Sequence, residues 1–420
     1  MIFIVWTNAT TTNGTTTTDI YFSKSTDNGG TFSFPDNISE TSSSARDPKI
    51  AVSNNNVYVV WHGNVPSPNN NGTFFTKSTD NGGTFSQIKN ISSDTNSSGG
   101  PEIVVYRENI YVVWGTTVNS IQDIFFAVST DNGQTFSIPD NISENYGIAY
   151  SPKIALIGRF VFVIWIQNSS QDIFFTVSSN HGNTFSQTKN ISNSSGRCYE
   201  PQIAVSGEMV YVVWRQRLGI EHDDIFFSRS GDFGQTFSEP QNISNTPGES
   251  RHPQIAVSGE NVYVIWDDDS PPGIEIFFAV STDNGQNFSQ PENISNNIGG
   301  SLYPQIAASG DNVYVVWFDY SVPINSDIFF ARSIDNGQTF SEPQNISNNT
   351  RRSRYPQIAV SGDNVYVVWR NTVTEDIIFG NYNIFFAVSN DNGETFSQPE
   401  NVSHMDGSNR DPQIALSSSS

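Results

Sequence analysis

Apolar residues fall in short runs, and the runs recur in one order along the whole chain. A run of the type Val-Tyr-Val-Val-Trp ends on Trp61, Trp114, Trp165, Trp214, Trp266, Trp317 and Trp369, and residues 1–6 are a variant ending on Trp6. Upstream stands Pro-Gln-Ile-Ala-Val-Ser-Gly, as at 201–207, 253–259 and 356–362. Downstream come Asp-Ile-Phe-Phe-Ala-Val-Ser, as at 123–129, a turn, and Thr-Phe-Ser-x-Pro-x-Asn-Ile-Ser, as at 339–347. Each unit thus holds four runs rich in Val, Ile, Phe and Tyr, separated by Gly, Asn, Pro and Asp, which predicts four strands. The runs are too short for helices and show no helical period. Several are apolar at consecutive positions, so both faces of each sheet must be covered. Four-stranded units stacked side by side meet that requirement, and the expected fold is an all-β propeller.

The second run occurs eight times, starting with residues 2–6, and so does the first, whose last copy at 412–417 stands alone at the C-terminus. Residues 2–39 supply three strands of a blade that lacks its first. The prediction is therefore one domain, 1–420, with eight antiparallel blades built from repeats of about 52 residues. In it, 412–417 completes the N-terminal blade and leaves no open edge.

The turn between the third and fourth runs reads Ser-x-Asp-x-Gly-x-Thr-Phe at 25–32, 78–85, 129–136, 230–237, 333–340 and 389–396. Two copies depart from it, with Asn180 for Asp and Asn287 for Thr. Asp-Asn-Gly between strands is a strong hairpin signal, because Gly takes positive φ and Asp bonds the turn's own amides. On these residues the chain resembles the Asp-box (BNR) repeat proteins, the group that includes sialidases, and the resemblance covers the whole chain. It implies that the box is a structural hairpin on the face opposite a functional site. Asn-Ile-Ser or Asn-Val-Ser also recurs once per repeat, from Asn37 to Asn401, in a register that suggests a turn closing the fourth strand. Sequons outside that register, at Asn8, Asn13, Asn71, Asn96, Asn168, Asn193 and Asn348, are the better glycosylation candidates.

Composition narrows the partners. Acidic residues outnumber basic ones 42 to 20, for a formal charge of -22, which argues against nucleic acid or an anionic membrane surface. No apolar run is long enough to span a membrane. The single Cys198 excludes an intrachain disulfide framework and a cysteine zinc site. No cofactor fingerprint is present. An extracellular or surface location and a monomer are expected, with any export signal outside this chain.

Against this acidity, the two residues before the Pro of each first strand hold four Arg-x-Pro units, at Arg46, Arg251, Arg354 and Arg410. With Tyr199 and the post-Trp residues Arg215 and Arg370, they are the candidate ligand-binding residues at the channel mouth, suited to a carboxylate or phosphate. Sialidases carry a similar Arg-Ile-Pro, although the family uses it once and the middle residue differs here. The resemblance implies a Tyr nucleophile paired with Glu and an Asp acid/base, for which Tyr303, Tyr355, Glu200, Asp267 and Asp319 are candidates. Asp267 and Asp269 are the candidates for calcium, though no ligand spacing supports it and a solvated acidic loop is the plainer reading. The leading expectation is a propeller that binds a glycan or other acidic ligand. The alternatives are a sialidase-like glycoside hydrolase and a structural or protein-interaction module of the cell envelope, whose partner is another protein.

Overall fold

The computed structural model describes all residues except 40–43, 65–70, 93–97, 119–120, 144–146, 169–170, 220–221, 298, 321–324, 349–350, 374–380 and 418–420. The sequon at Asn96 lies outside the described residues. The strands form eight four-stranded antiparallel sheets, an eight-bladed β-propeller. In chain order the blades span 2–37 with 408–416, then 44–90, 98–141, 149–190, 198–242, 250–293, 301–345 and 353–401, numbered here 1 to 8. Strand order across each sheet follows the chain except in blade 1. There Ser408–Leu416 takes the first position beside Ile2–Thr12, pairing Ile4 with Ile414 and Ile2 with Leu416. The expected completion of the N-terminal blade is thus observed. Contacts group the chain into two compact units, 1–154 with 368–388 and 399–420, and 155–367 with 389–398.

Two strand boundaries differ from expectation. The first strands begin ahead of their Pro, as in Cys198–Ser206 and Ser250–Ser258, so the residues before Pro lie inside the strand. The fourth strands pair over only two residues, as in Gln241–Asn242, because the hairpin loop continues to that point and in most copies Pro removes a donor just before it.

The second strand is the core of every blade. Val262 through Trp266 are fully buried, as are Val57 through Trp61. Each Trp stacks on an aromatic residue of the third strand directly across the ladder, Trp61 on Phe74 at 6.0 Å and Trp266 on Phe277 at 6.3 Å. Such pairs add about 0.5–1.5 kcal/mol to simple burial.

The Asp box locks neighbouring blades within each unit. Ser281 Oγ donates to Asp283 Oδ1 at 2.7 Å and accepts the Gly285 N–H at 2.8 Å. The Phe that ends the box meets the preceding blade edge-on, Phe288 on Phe227 and Phe85 on Phe22, each at 4.8 Å. Both variant copies keep the geometry. Asn180 donates to Thr184 Oγ1 at 2.8 Å, and Asn287 Nδ2 replaces the threonine hydroxyl on Asp283 Oδ2, also at 2.8 Å.

The in-register sequon closes the other end of the third strand. Asn242 Oδ1 accepts from the Asn245 N–H at 3.0 Å, while Ser244 Oγ accepts the Ile225 N–H at 2.9 Å and donates to Asp224 at 2.9 Å. These Asn-Ile-Ser units are turn chemistry, as the register suggested.

Candidate functional site

The residue before each first-strand Pro occupies left-handed backbone. Asp47, Ser151, Glu200, His252, Tyr303, Tyr355 and Asp411 have φ between 52° and 54°, and Gly100 has 26°. Each described ladder shifts register at this point, for example between Tyr199 and Gln202 and between Arg251 and Gln254. The extra residue is a β-bulge, which bends the strand and re-aims its side chain. Bulky residues at positive φ cost about 1–3 kcal/mol each, and such strain collects at binding sites. This column, not the arginine column before it, is where the repeats vary most: Asp, Gly, Ser, Glu, His, Tyr, Tyr, Asp.

In the second unit the bulges bring consecutive blades into one cluster. Glu200 accepts the His252 N–H at 2.9 Å, and its other oxygen lies 3.8 Å from His252 Nε2 and 3.5 Å from an Arg215 guanidinium nitrogen. His252 Nδ1 lies 2.7 Å from Asp267 Oδ1, which also accepts the Tyr303 N–H at 3.2 Å. The imidazole packs on Tyr303 with ring centroids 3.9 Å apart. Tyr303 continues to Tyr355 at 5.0 Å and to Phe318 at 5.5 Å, and Phe318 meets Tyr320 edge-on at 5.4 Å. Arg354 lies 5.0 Å over the Tyr320 ring. The result is a half-buried aromatic platform with a carboxylate–imidazole–carboxylate group at one end and a guanidinium at the other.

The charges of this cluster are coupled. Burial alone would lower the His252 pKa, but the Asp267 hydrogen bond and the Asp267 and Glu200 charges more than offset it, so it lies above the ordinary value. Burial raises the Asp267 carboxyl in turn, against the His252 bond and charge. Both directions mean that the pair keeps its proton to higher pH than an isolated histidine. Burial also raises Tyr303, helped by Tyr355, Asp267 and Glu200. A phenol in that setting resists becoming the phenolate a nucleophile requires.

Glu200, Asp267, Tyr303 and Tyr355 therefore meet in one place, whereas Asp319 does not join them. Asp319 is buried, and its carboxylate accepts from Ser301 Oγ at 2.7 Å and Asn297 Nδ2 at 2.5 Å. The arginines have partners of their own. Arg251 bonds Glu249 and lies 4.0 Å from Asp269, while Arg354 stacks on Phe318 and Tyr320. Arg215 and Arg217 both lie over the Tyr199 ring, 4.5 and 5.7 Å from its centroid, and Arg217 grips Asp223 at 2.8 Å. In the first unit Arg46 is exposed beside Asp47, and Arg370 and Arg410 share the ring of Tyr382. The 267–269 run is not the solvated loop expected. Asp267 and Asp268 are buried, the latter accepting from Ser250 Oγ at 2.7 Å, because both lie on or beside the second strand Asn261–Asp268. Asp269 accepts the Glu249 N–H at 2.6 Å.

Sequence reasoning passed over His252 and Phe318. Both sit in columns already marked, before Pro and after Trp, and the signal was the chemical variation in those columns. The four Arg-x-Pro units place their arginines one position earlier.

No family model and no curated protein matches the chain. Among solved structures, an ulvan lyase of the polysaccharide lyases, bound to -[GlcA(1-4)Rha3S]-, is similar with a TM-score of 0.55 at 10% identity, over 81% of this chain and 91% of that one. Another polysaccharide lyase has a TM-score of 0.53 at 9% identity, over 87% and 95%. A Hadza microbial sialidase is more distant, at 0.40 and 15% identity, over 73% and 71%. At these identities the likeness is one of fold.

Proposed function

We propose that the protein is a glycan-recognising β-propeller whose carbohydrate lies over Tyr303 and Tyr355 beside Glu200, His252 and Asp267. The carrying observation is the continuous ring platform with polar groups at its ends. A pyranose offers an apolar C–H face to an aromatic ring and hydroxyls to carboxylates and imidazole, so the platform supplies area and its ends supply orientation. The carbohydrate-active proteins of similar fold support this reading. A polymeric glycan lies outside the cell, so a secreted or surface-attached location belongs to this reading.

A second reading, acid–base processing of the bound glycan, is favoured by the His252–Asp267 contact. A buried carboxylate fixes Nδ1 and leaves Nε2, 3.8 Å from a Glu200 oxygen, as the proton-carrying atom. It places the proton chemistry on His252 and not on a Tyr303 nucleophile, which separates it from sialidase-type hydrolysis. A panel of neutral and acidic polysaccharides tests both. Binding lost in Tyr303→Ala and Tyr355→Ala at unchanged melting temperature supports recognition, and turnover lost in His252→Gln supports processing. Binding to none of them, or binding indifferent to both tyrosine changes, refutes the glycan reading in favour of a protein-interaction module. Turnover of a fluorogenic sialoside that needs Tyr303 would restore the hydrolase.

A further inference from the structure

Blade 1 carries the longest strands described, Ile2–Thr12 and Thr15–Ser25, which pair as one hairpin. Between Trp6 and Ile20 this ribbon is rich in threonine, and only Ala9 is apolar. Thr10 faces Thr17 and Thr11 faces Thr16, hydroxyl to hydroxyl at 3.1 and 2.9 Å. Asn13 at φ 53° and Gly14 at φ 79° close the hairpin, as the tight two-residue turn requires. Both are exposed, and nothing lies within 4 Å of a Cβ added to Gly14.

Asn-Gly is also the step at which a backbone nitrogen most easily attacks the preceding carboxamide, because glycine has no side chain to hinder it. The chain contains eight such steps, and seven of them are restrained. Six stand in the Asp boxes, where the glycine N–H donates to the box serine. Gly29 bonds Ser25 Oγ, Gly133 bonds Ser129 Oγ and Gly337 bonds Ser333 Oγ, each at 2.8 Å and buried. The box carboxamides are engaged too, Asn132 accepting from the Tyr58 hydroxyl at 2.6 Å and Asn284 from Tyr211 at 3.1 Å. The seventh step, Asn71-Gly72, lies inside a ladder, with Asn71 opposite Asn64 and the buried Gly72 opposite Gly63. Asn13-Gly14 has neither restraint. Among the described residues, no hydrogen bond engages the Asn13 carboxamide or the Gly14 N–H.

We propose that Asn13 is a site of spontaneous deamidation, which the other seven Asn-Gly steps resist in the folded protein. Hydroxide takes the Gly14 amide proton, and the nitrogen attacks Asn13 Cγ. The new N–Cγ bond forms, the Cγ–Nδ2 bond breaks, and Nδ2 leaves as ammonia. Water then opens the cyclic imide at either carbonyl, giving aspartate or isoaspartate. The net change is one water in, one ammonia out and one added negative charge, with no electron transfer. Isoaspartate lengthens the main chain inside a two-residue turn, so the threonine ribbon opens from its tip while the buried Ile2–Trp6 segment stays paired. No residue of the aromatic platform takes part, so this inference and the glycan reading can fail separately.

The whole protein, folded in alkaline buffer and in parallel unfolded in urea, is sampled over time and its peptides are weighed. An isoaspartate methyltransferase assay identifies the product. In urea all eight steps should convert and set the reference rates. In the folded protein Asn13 should convert within about tenfold of its reference, and the box steps more than about a hundredfold slower, because only the tip opens without unfolding a blade. Ser129→Ala frees the Gly133 N–H, so it should speed conversion at Asn132 and leave Asn284 unchanged, which separates a lost guard from general unfolding. An Asn13 that keeps its amide in the folded protein, box steps that convert as fast as Asn13, or an unchanged Asn132 in Ser129→Ala would overturn the proposal.

Discussion

Gly285 is where the repeat's most regular motif meets its tightest packing. Its φ is +76°, and an added Cβ would stand 2.6 Å from Phe227 Cζ and 2.9 Å from Cε1. Phe227 is 1% exposed and clamped edge-on by Phe288, so its ring has nowhere to move. Gly285→Ala therefore carries two penalties: about 1–2 kcal/mol for a side chain in left-handed backbone and about 1–3 kcal/mol for overpacking. Gly310 isolates the first, because it has φ +59° and nothing within 4 Å of the same Cβ. Urea unfolding of the two alanine variants should separate them, with Gly285→Ala losing about 2–5 kcal/mol and Gly310→Ala about 1–2 kcal/mol. Equal losses would show that the box does not hold its neighbour by close approach, and the account of blade locking would fall.

Acid should weaken the hairpins. Hydrogen bonds from Asn287 depress Asp283, and those from Ser333 and Thr339 depress Asp335, each to about 2. A folded value below the unfolded one contributes stability that is present above about pH 4 and lost as pH falls through 2. The melting temperature should drop across that window, and Asp335→Asn should flatten the drop while costing less than Asp335→Ala, because Asn180 already fills this role in blade 4. A melting profile level from pH 4 to 2 would count against it. His252 behaves with the opposite sign. Its raised pKa gives stability fully present below about pH 6.5 and lost as pH rises through the folded value. His252→Gln should therefore remove part of the stability difference between acidic and alkaline buffer, and an unchanged difference would uncouple it from Asp267.

Much of the blade was legible in the chain because its determinants are local. Strand identity follows from runs such as 262–266, the hairpin from Asp283 and Gly285, and the number of blades from counting Trp. Even the completion of blade 1 by Ser408–Leu416 followed from one unmatched copy of the first strand. The site was legible only as columns. Pro253 marks where blade 6 varies, but not that the backbone before it turns left-handed, since a residue ahead of Pro ordinarily avoids helical angles.

The repeat, the turn chemistry and the buried faces are properties of residues within one repeat unit and can be read along the chain. Which side chains of different blades meet is a property of the assembled fold. Glu200, His252 and Tyr303 stand about 50 residues apart and become neighbours because first strands pack side by side and each bulge re-aims one side chain. The same packing buried Asp267 against His252 and divided the arginines among separate partners. Those outcomes depend on distances between blades, which no single repeat encodes.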